Sequence, residues 1–65
     1  MTFKIHLYYK KSQLKRVEIV NDGNFRIRID PRYVTFRNGK PYSLYSPLSG
    51  MEIRLFPEIV EYHYL

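Results

Sequence analysis

Residues 25–30 read Phe25-Arg26-Ile27-Arg28-Ile29-Asp30, a strict alternation of apolar and polar side chains. Successive side chains on a strand point to opposite faces, so this period of two turns Phe25, Ile27 and Ile29 toward a core. Arg26, Arg28 and Asp30 then face outward. A helix would need apolar residues three and four apart, which the stretch does not supply. Pro31 follows and ends the strand, and Asp30-Pro31 marks a turn or corner.

The same alternation extends in both directions. In Thr2–Tyr9, Phe3, Ile5, Leu7 and Tyr9 share one face and Lys4, His6 and Tyr8 the other. In Leu14–Val20, Lys15, Val17 and Ile19 oppose Arg16 and Glu18. Past the corner, Tyr33–Arg37 is expected to bury Val34 and Phe36, and Tyr42–Tyr45 to bury Tyr42 and Leu44. Met51–Phe56 should turn Met51, Ile53 and Leu55 inward. Ser46-Pro47-Leu48-Ser49-Gly50 reads as a loop, and Pro57 stops the strand before it. Glu58–Leu65 is either a last strand or a short helical turn followed by a strand.

Composition agrees with an all-β chain. The 29 apolar residues are four Val, six Ile, six Leu, two Met, four Phe and seven Tyr. With two Thr, the β-branched and aromatic residues number 23 of 65, against no Ala, the best helix former. Sixty-five residues make one small domain, 1–65, because a second would need its own core. At this size folding buries only about 60% of the chain's accessible surface. With no cysteine, neither disulfide nor thiolate metal site can staple it. Tight packing or self-association must supply the stability.

Turn chemistry sets the expected register. If Asn21-Asp22-Gly23 is a three-residue loop, Val17 faces Ile27 and Ile19 faces Phe25, so both apolar sets share a face. A three-residue loop at Arg37-Asn38-Gly39 pairs Val34 with Tyr42, whereas a two-residue Asn-Gly turn would set Val34 against Ser43. A Lys11-Ser12-Gln13 loop pairs Leu7 with Val17 and Ile5 with Ile19. The sum is an antiparallel meander of about six short strands, forming a half-open SH3-like or OB-like barrel.

Charge is the main functional clue. Of the formal +5, residues 1–40 carry ten Lys and Arg against Glu18, Asp22 and Asp30, while residues 41–65 carry Arg54 against three Glu. A basic part beside a mildly acidic one suggests a polyanion footprint. The register places Tyr8, Arg16 and Arg28 in one outward row and His6, Glu18 and Arg26 in the next. Two arginines directly opposite each other repel. Such a pair beside an aromatic ring suits a phosphate backbone with stacked bases. Lys4, Lys10 and Lys15 extend the field. Arg32, Arg37 and Lys40 form a second basic cluster around the Asn38-Gly39 turn.

The expected function is therefore non-enzymatic binding of nucleic acid, DNA or RNA, through Lys4, Tyr8, Lys10, Lys15, Arg16, Arg26 and Arg28. A low-ranked alternative is RNA cleavage, with Glu18 as base, His6 as acid and Arg26 on the phosphate. The other reading is a protein-interaction module, a small regulator of the kind mobile elements carry. It would dock or form a homodimer through Tyr62, Tyr64 and the C-terminal strand. His and acidic residues show no metal-ligand spacing along the chain, and no Gly-rich phosphate loop occurs, so neither metal nor cofactor is expected. No apolar run approaches the ~20 residues of a membrane helix. The first residues are interrupted by charge, so neither a membrane partner nor a signal segment is expected and cytoplasmic residence is the default.

Overall fold

A computed structural model describes residues 3–21 and 25–65. Its strands are β1 (Phe3–Lys10), β2 (Gln13–Asn21), β3 (Phe25–Ile29), β4 (Val34–Arg37), β5 (Lys40–Ser46), β6 (Met51–Arg54) and β7 (Val60–Tyr64). They form a four-stranded sheet in the order β3-β2-β1-β7 and a three-stranded sheet in the order β4-β5-β6. The chain is all-β, as its composition requires. Among the described residues no helix is long and apolar enough to cross a membrane.

Two proline-led corners carry the chain between the sheets. At Pro31–Tyr33, a single 3-10 turn, the Asp30 carboxylate accepts the Arg32 backbone N–H at 2.9 Å. The fixed φ of proline suits the first position of such a turn, where no N–H is needed. Pro57–Ile59 repeats the device and returns the chain to the first sheet. Glu58–Leu65 is thus a short helical turn followed by a strand, one of the two forms expected.

The return is where the meander expectation fails. β7 lies parallel to β1, with Ile5 opposite Val60, Leu7 opposite Tyr62 and Tyr9 opposite Tyr64. The Leu65 N–H continues the ladder by donating to the Tyr9 carbonyl at 2.8 Å. The described residues form seven strands, not about six. Among the described residues no ladder joins the two sheets, so no closed barrel forms.

The core lies between the sheets. Ile5, Leu7, Val17 and Ile29 from the larger sheet meet Val34, Leu44 and Leu55, with Tyr9, Leu14, Ile19, Ile27, Tyr33, Ile59 and Val60 packed around them. Ile5, Leu7, Val17 and Leu44 are fully enclosed. Each such side chain contributes about 1.5–3 kcal/mol from burial. Parity is right for most strands, but depth is not. Phe25, Phe36 and Met51, expected inward, are largely exposed, Phe25 and Met51 being the first residues of their strands. Tyr42 is only half-buried.

Two of the described hairpins, β1–β2 and β4–β5, reach their register by one device, whereas β5–β6 pairs Ser46 with Met51 across a four-residue loop and has no bulge. Lys10 pairs with Gln13, so Lys11-Ser12 is a two-residue turn, and both residues have positive φ, 52° and 64°. A bulge then leaves Lys15 unpaired, and beyond it Leu7 faces Val17 and Ile5 faces Ile19 as expected. In the second hairpin Arg37 pairs with Lys40 around Asn38-Gly39, where φ is 53° and 77°. A bulge at Tyr42 then sets Val34 against Leu44. The expected Val34–Tyr42 pairing is overturned, and so is the Val34–Ser43 alternative. In each case a two-residue turn matched to strand twist would put apolar residues on the wrong face, and one extra residue three positions past the turn corrects it.

The turn expected at Asn21-Asp22-Gly23 falls mostly outside the described residues. The ladder beside it pairs Asn21 with Phe25, Ile19 with Ile27 and Val17 with Ile29. The expected Val17–Ile27 and Ile19–Phe25 pairings are therefore displaced by two residues, which keeps parity and changes every row.

The Lys11-Ser12 turn holds two side-chain-bearing residues in the left-handed region, a conformation that costs roughly 1 kcal/mol per residue outside Gly, Asn and Asp. Replacing Lys11-Ser12 with Asn-Gly should stabilise the fold by about 1 kcal/mol and raise the thermal midpoint by about 4–8 °C. A midpoint that stays or falls in a calorimetric scan would refute this account of the turn.

Candidate functional site

The outer face of the four-stranded sheet gathers most of the residues singled out above. Its rows follow from the ladders. Glu61, His6, Glu18 and Arg28 line one row, His63, Tyr8 and Arg16 the next, and Lys4, Val20 and Arg26 a third. The expected Arg16–Arg28 opposition is absent. With β3 displaced by two residues, Arg28 faces Glu18, and the repulsive pair argued from the sequence does not exist.

Glu18 is instead the hub. It is buried, 6% exposed, on a face that otherwise meets solvent. Its Oε1 accepts the Tyr8 hydroxyl at 3.1 Å and the Arg26 guanidinium at 2.5 Å, while Arg16 Nε lies 3.5 Å from Oε2 as an ion pair. The Arg16 guanidinium also stands 4.5 Å from the Tyr8 ring centre. Burial pushes the carboxyl pKa up, but the hydrogen bonds from Tyr8 and Arg26 and the charges of Arg26 and Arg16 outweigh it. The net result lies below the ordinary value. A carboxylate so committed is a weak base. It faces His6 across the strand pair, but the recorded hydrogen bond of His6 is with His63.

That contact is the feature missed from the sequence. His6 Nδ1 and His63 Nε2 are 2.9 Å apart although 57 positions separate the residues. The ring centres are 5.0 Å apart with planes 14° apart, so the rings meet edge to edge. Tyr8 stacks on His63 at 4.5 Å between centres. Glu61 brings Oε1 to 3.9 Å from His63 Nε2 and Oε2 to 3.7 Å from Lys4 Nζ. Spacing along the chain gave no sign of a His and carboxylate cluster, because it arises only when β7 docks parallel to β1.

The remaining predicted residues scatter. Lys10 is exposed at the end of β1, and Lys15 is the bulge residue, its Nζ donating to Gln13 at 2.8 Å. Arg28 makes no ion pair among the described residues. In the second basic cluster Arg32 pairs with Asp30 at 3.5 Å and Lys40 is exposed. Arg37 instead lies 4.0 Å from the Tyr42 ring centre. Arg54, which the sequence reading passed over, lies 4.1 Å from the same ring. Tyr42, Ser43, Glu52 and Arg54 line a shallow cleft of about 260 Å³, where Ser43 Oγ donates to Glu52 at 2.9 Å. At the free edge of β7, Tyr62, Tyr64 and Leu65 are exposed and the Tyr62 and Tyr64 rings stack beside Tyr9. Burial, then the neighbouring Tyr62 and Tyr64 phenols, push the Tyr9 pKa above its ordinary value.

No protein-family model, curated protein or solved structure matches the chain.

Glu18 ties folding to pH. Its folded-state pKa is depressed from 4.5, so between the two values the unfolded chain binds the extra proton. The stability it contributes is complete above about pH 4.5 and is lost as pH falls through the folded value. Glu18→Gln should lower stability by about 1–2 kcal/mol at pH 7 and flatten the decline below pH 4.5. A variant whose acid limb matches that of the parent would remove Glu18 from this role.

Proposed function

We propose that this protein is a non-enzymatic nucleic-acid-binding domain whose contact surface is the outer face of the four-stranded sheet. In this reading the two sheets act as the half-open SH3-like or OB-like barrel that the strand pattern suggests. One observation carries the proposal: Lys4, Arg16, Arg26 and Arg28 flank the Tyr8–His63 stack on one solvent-facing surface with only Glu18 and Glu61 as acids. Cations there neutralise phosphates, and a partly open aromatic pair offers a stacking platform for unpaired bases. Glu18 shapes this surface by fixing Arg16 and Arg26 in place and by removing part of their free charge. Arg28, with no such pairing, is the cation most available to a phosphate, and Lys10 and Lys15 extend the track.

Affinity in this reading is dominated by phosphate contacts and falls with salt. Engagement of three or four phosphates gives a slope of log K against log salt of about −3. Arg28→Ala should weaken binding to random oligonucleotides several-fold and reduce that slope by about 1, with the thermal midpoint unchanged. Arg37→Ala, on the other sheet, should leave both unaltered. Filter binding on DNA and RNA at four salt concentrations checks this, and an affinity indifferent to salt would end the proposal.

A second reading rests on the free edge of β7, where Tyr64 and Leu65 are 77% and 73% exposed. An unpaired strand edge carrying apolar rings is a template for strand addition, by a protein partner or a second copy. Sedimentation should then show a dimer that Tyr64→Lys converts to monomer. A monomer at all concentrations excludes the homodimer.

A further inference from the structure

The His6–His63 contact has a chemical use that a hydrogen bond does not exhaust. Two imidazole nitrogens 2.9 Å apart share one proton, one ring donating its N–H to the in-plane lone pair of the other, and either nitrogen can offer a lone pair once the proton moves to the far side of its ring. A carboxylate oxygen completes the group: the donor atoms of His6, Glu61 and His63 all lie within 4.8 Å of one another. We propose that these three side chains form a binding site for a divalent first-row transition ion, Zn²⁺ foremost, with a fourth position open to water or an added ligand.

The geometry fits that ion. Zinc bonds of about 2.0–2.2 Å in a tetrahedron set neighbouring ligand atoms about 3.3 Å apart. The observed 2.9 Å between the nitrogens and 3.9 Å from Glu61 Oε1 to His63 Nε2 bracket that value, and the two rings, which now face each other edge to edge, must swing so that both nitrogens converge on the ion. The backbone supports it. Glu61 and His63 are two apart on one face of β7, and His6 is the registered neighbour of Glu61 on β1. Two positions from one strand and one from its neighbour converge from three directions without strain in any turn. Stacking on Tyr8 holds the His63 ring in place, as outer-shell contacts do at metal sites. Both ligand nitrogens must present lone pairs to the ion, so whichever ring holds the proton between them carries it on its other nitrogen instead. Lys4 competes for Glu61, but it sits on Oε2 and leaves Oε1 free.

Donor chemistry sets selectivity. Two imidazoles and one carboxylate favour Zn²⁺, Cu²⁺ or Ni²⁺ over the all-oxygen preference of Mg²⁺ and Ca²⁺. The site does not depend on the nucleic-acid reading, and the two fail separately, because metal binding is measured here without oligonucleotide.

Calorimetric titration of the full chain with Zn²⁺ in a non-chelating buffer should show one equivalent bound, undisturbed by excess Mg²⁺. At a hundredfold excess over Kd the thermal midpoint should rise by roughly 10–20 °C. His63→Ala and His6→Ala should each weaken binding by about a hundredfold and Glu61→Gln by about tenfold, while Lys40→Ala leaves it intact. Co²⁺ added to the unaltered chain should give the intense visible bands of a tetrahedral site, a readout that holds even where a histidine variant fails to fold. Absence of saturable Zn²⁺ binding, absence of those Co²⁺ bands, or affinity that survives loss of either histidine in a folded variant overturns the proposal.

Discussion

The parallel ladder between β1 and β7 is the constraint on which the rest of the structure depends. Without it the larger sheet would be a three-stranded meander with β1 as a bare edge. Ile5 and Leu7, fully enclosed in the core, would lose the neighbours Val60 and Ile59 that help to cover them. On the opposite face, the same ladder sets Glu61 and His63 beside His6 and Tyr8. One set of backbone hydrogen bonds therefore closes the core on one side and builds the polar surface on the other. In a chain without disulfides, such double use of a single ladder limits how much the sequence can vary along β7.

The second organising principle is parity. Every hairpin must deliver its apolar residues to the same face, yet the turns that match strand twist have two residues and would deliver the wrong one. The chain resolves the conflict by placing a bulge three positions beyond each of the two described two-residue turns, at Lys15 and Tyr42. Bulges also increase local twist, which helps a sheet of this width to wrap a small core. The Tyr42 bulge has a further effect. It sets that ring beside Arg37 and Arg54, and the second sheet gains a cation-rich aromatic cleft of its own.

Strand identity was legible in the sequence because alternation reports which face a side chain takes, and Phe25–Asp30 reports it cleanly. The Asp30-Pro31 corner was legible because capping and proline geometry are local. Register was harder: a displacement of two residues between β2 and β3 preserves every in-or-out assignment, so burial alone cannot detect it. That displacement dissolved the supposed Arg16–Arg28 clash and set Arg28 opposite Glu18, while Arg26 reaches the carboxylate from the neighbouring row. The exposure of Phe25, Phe36 and Met51 was hidden for a related reason, since alternation reports which face a side chain takes and not how deeply it is covered. The pairing of His6 with His63 lay further beyond reach, because no short-range signal tells a terminal strand which edge to choose or in which direction to run.

The 57 positions between His6 and His63 also bear on how the molecule comes to exist in time. Hairpins such as β1–β2 close a few residues of chain and form within microseconds, whereas the β1–β7 ladder closes nearly the whole of it. Loop-closure entropy makes that ladder costlier to close on its own than any hairpin in the sheet. The row of His6, Glu61 and His63 exists only where that ladder is formed. Any ligand that reads the full row binds only molecules in which that ladder has closed.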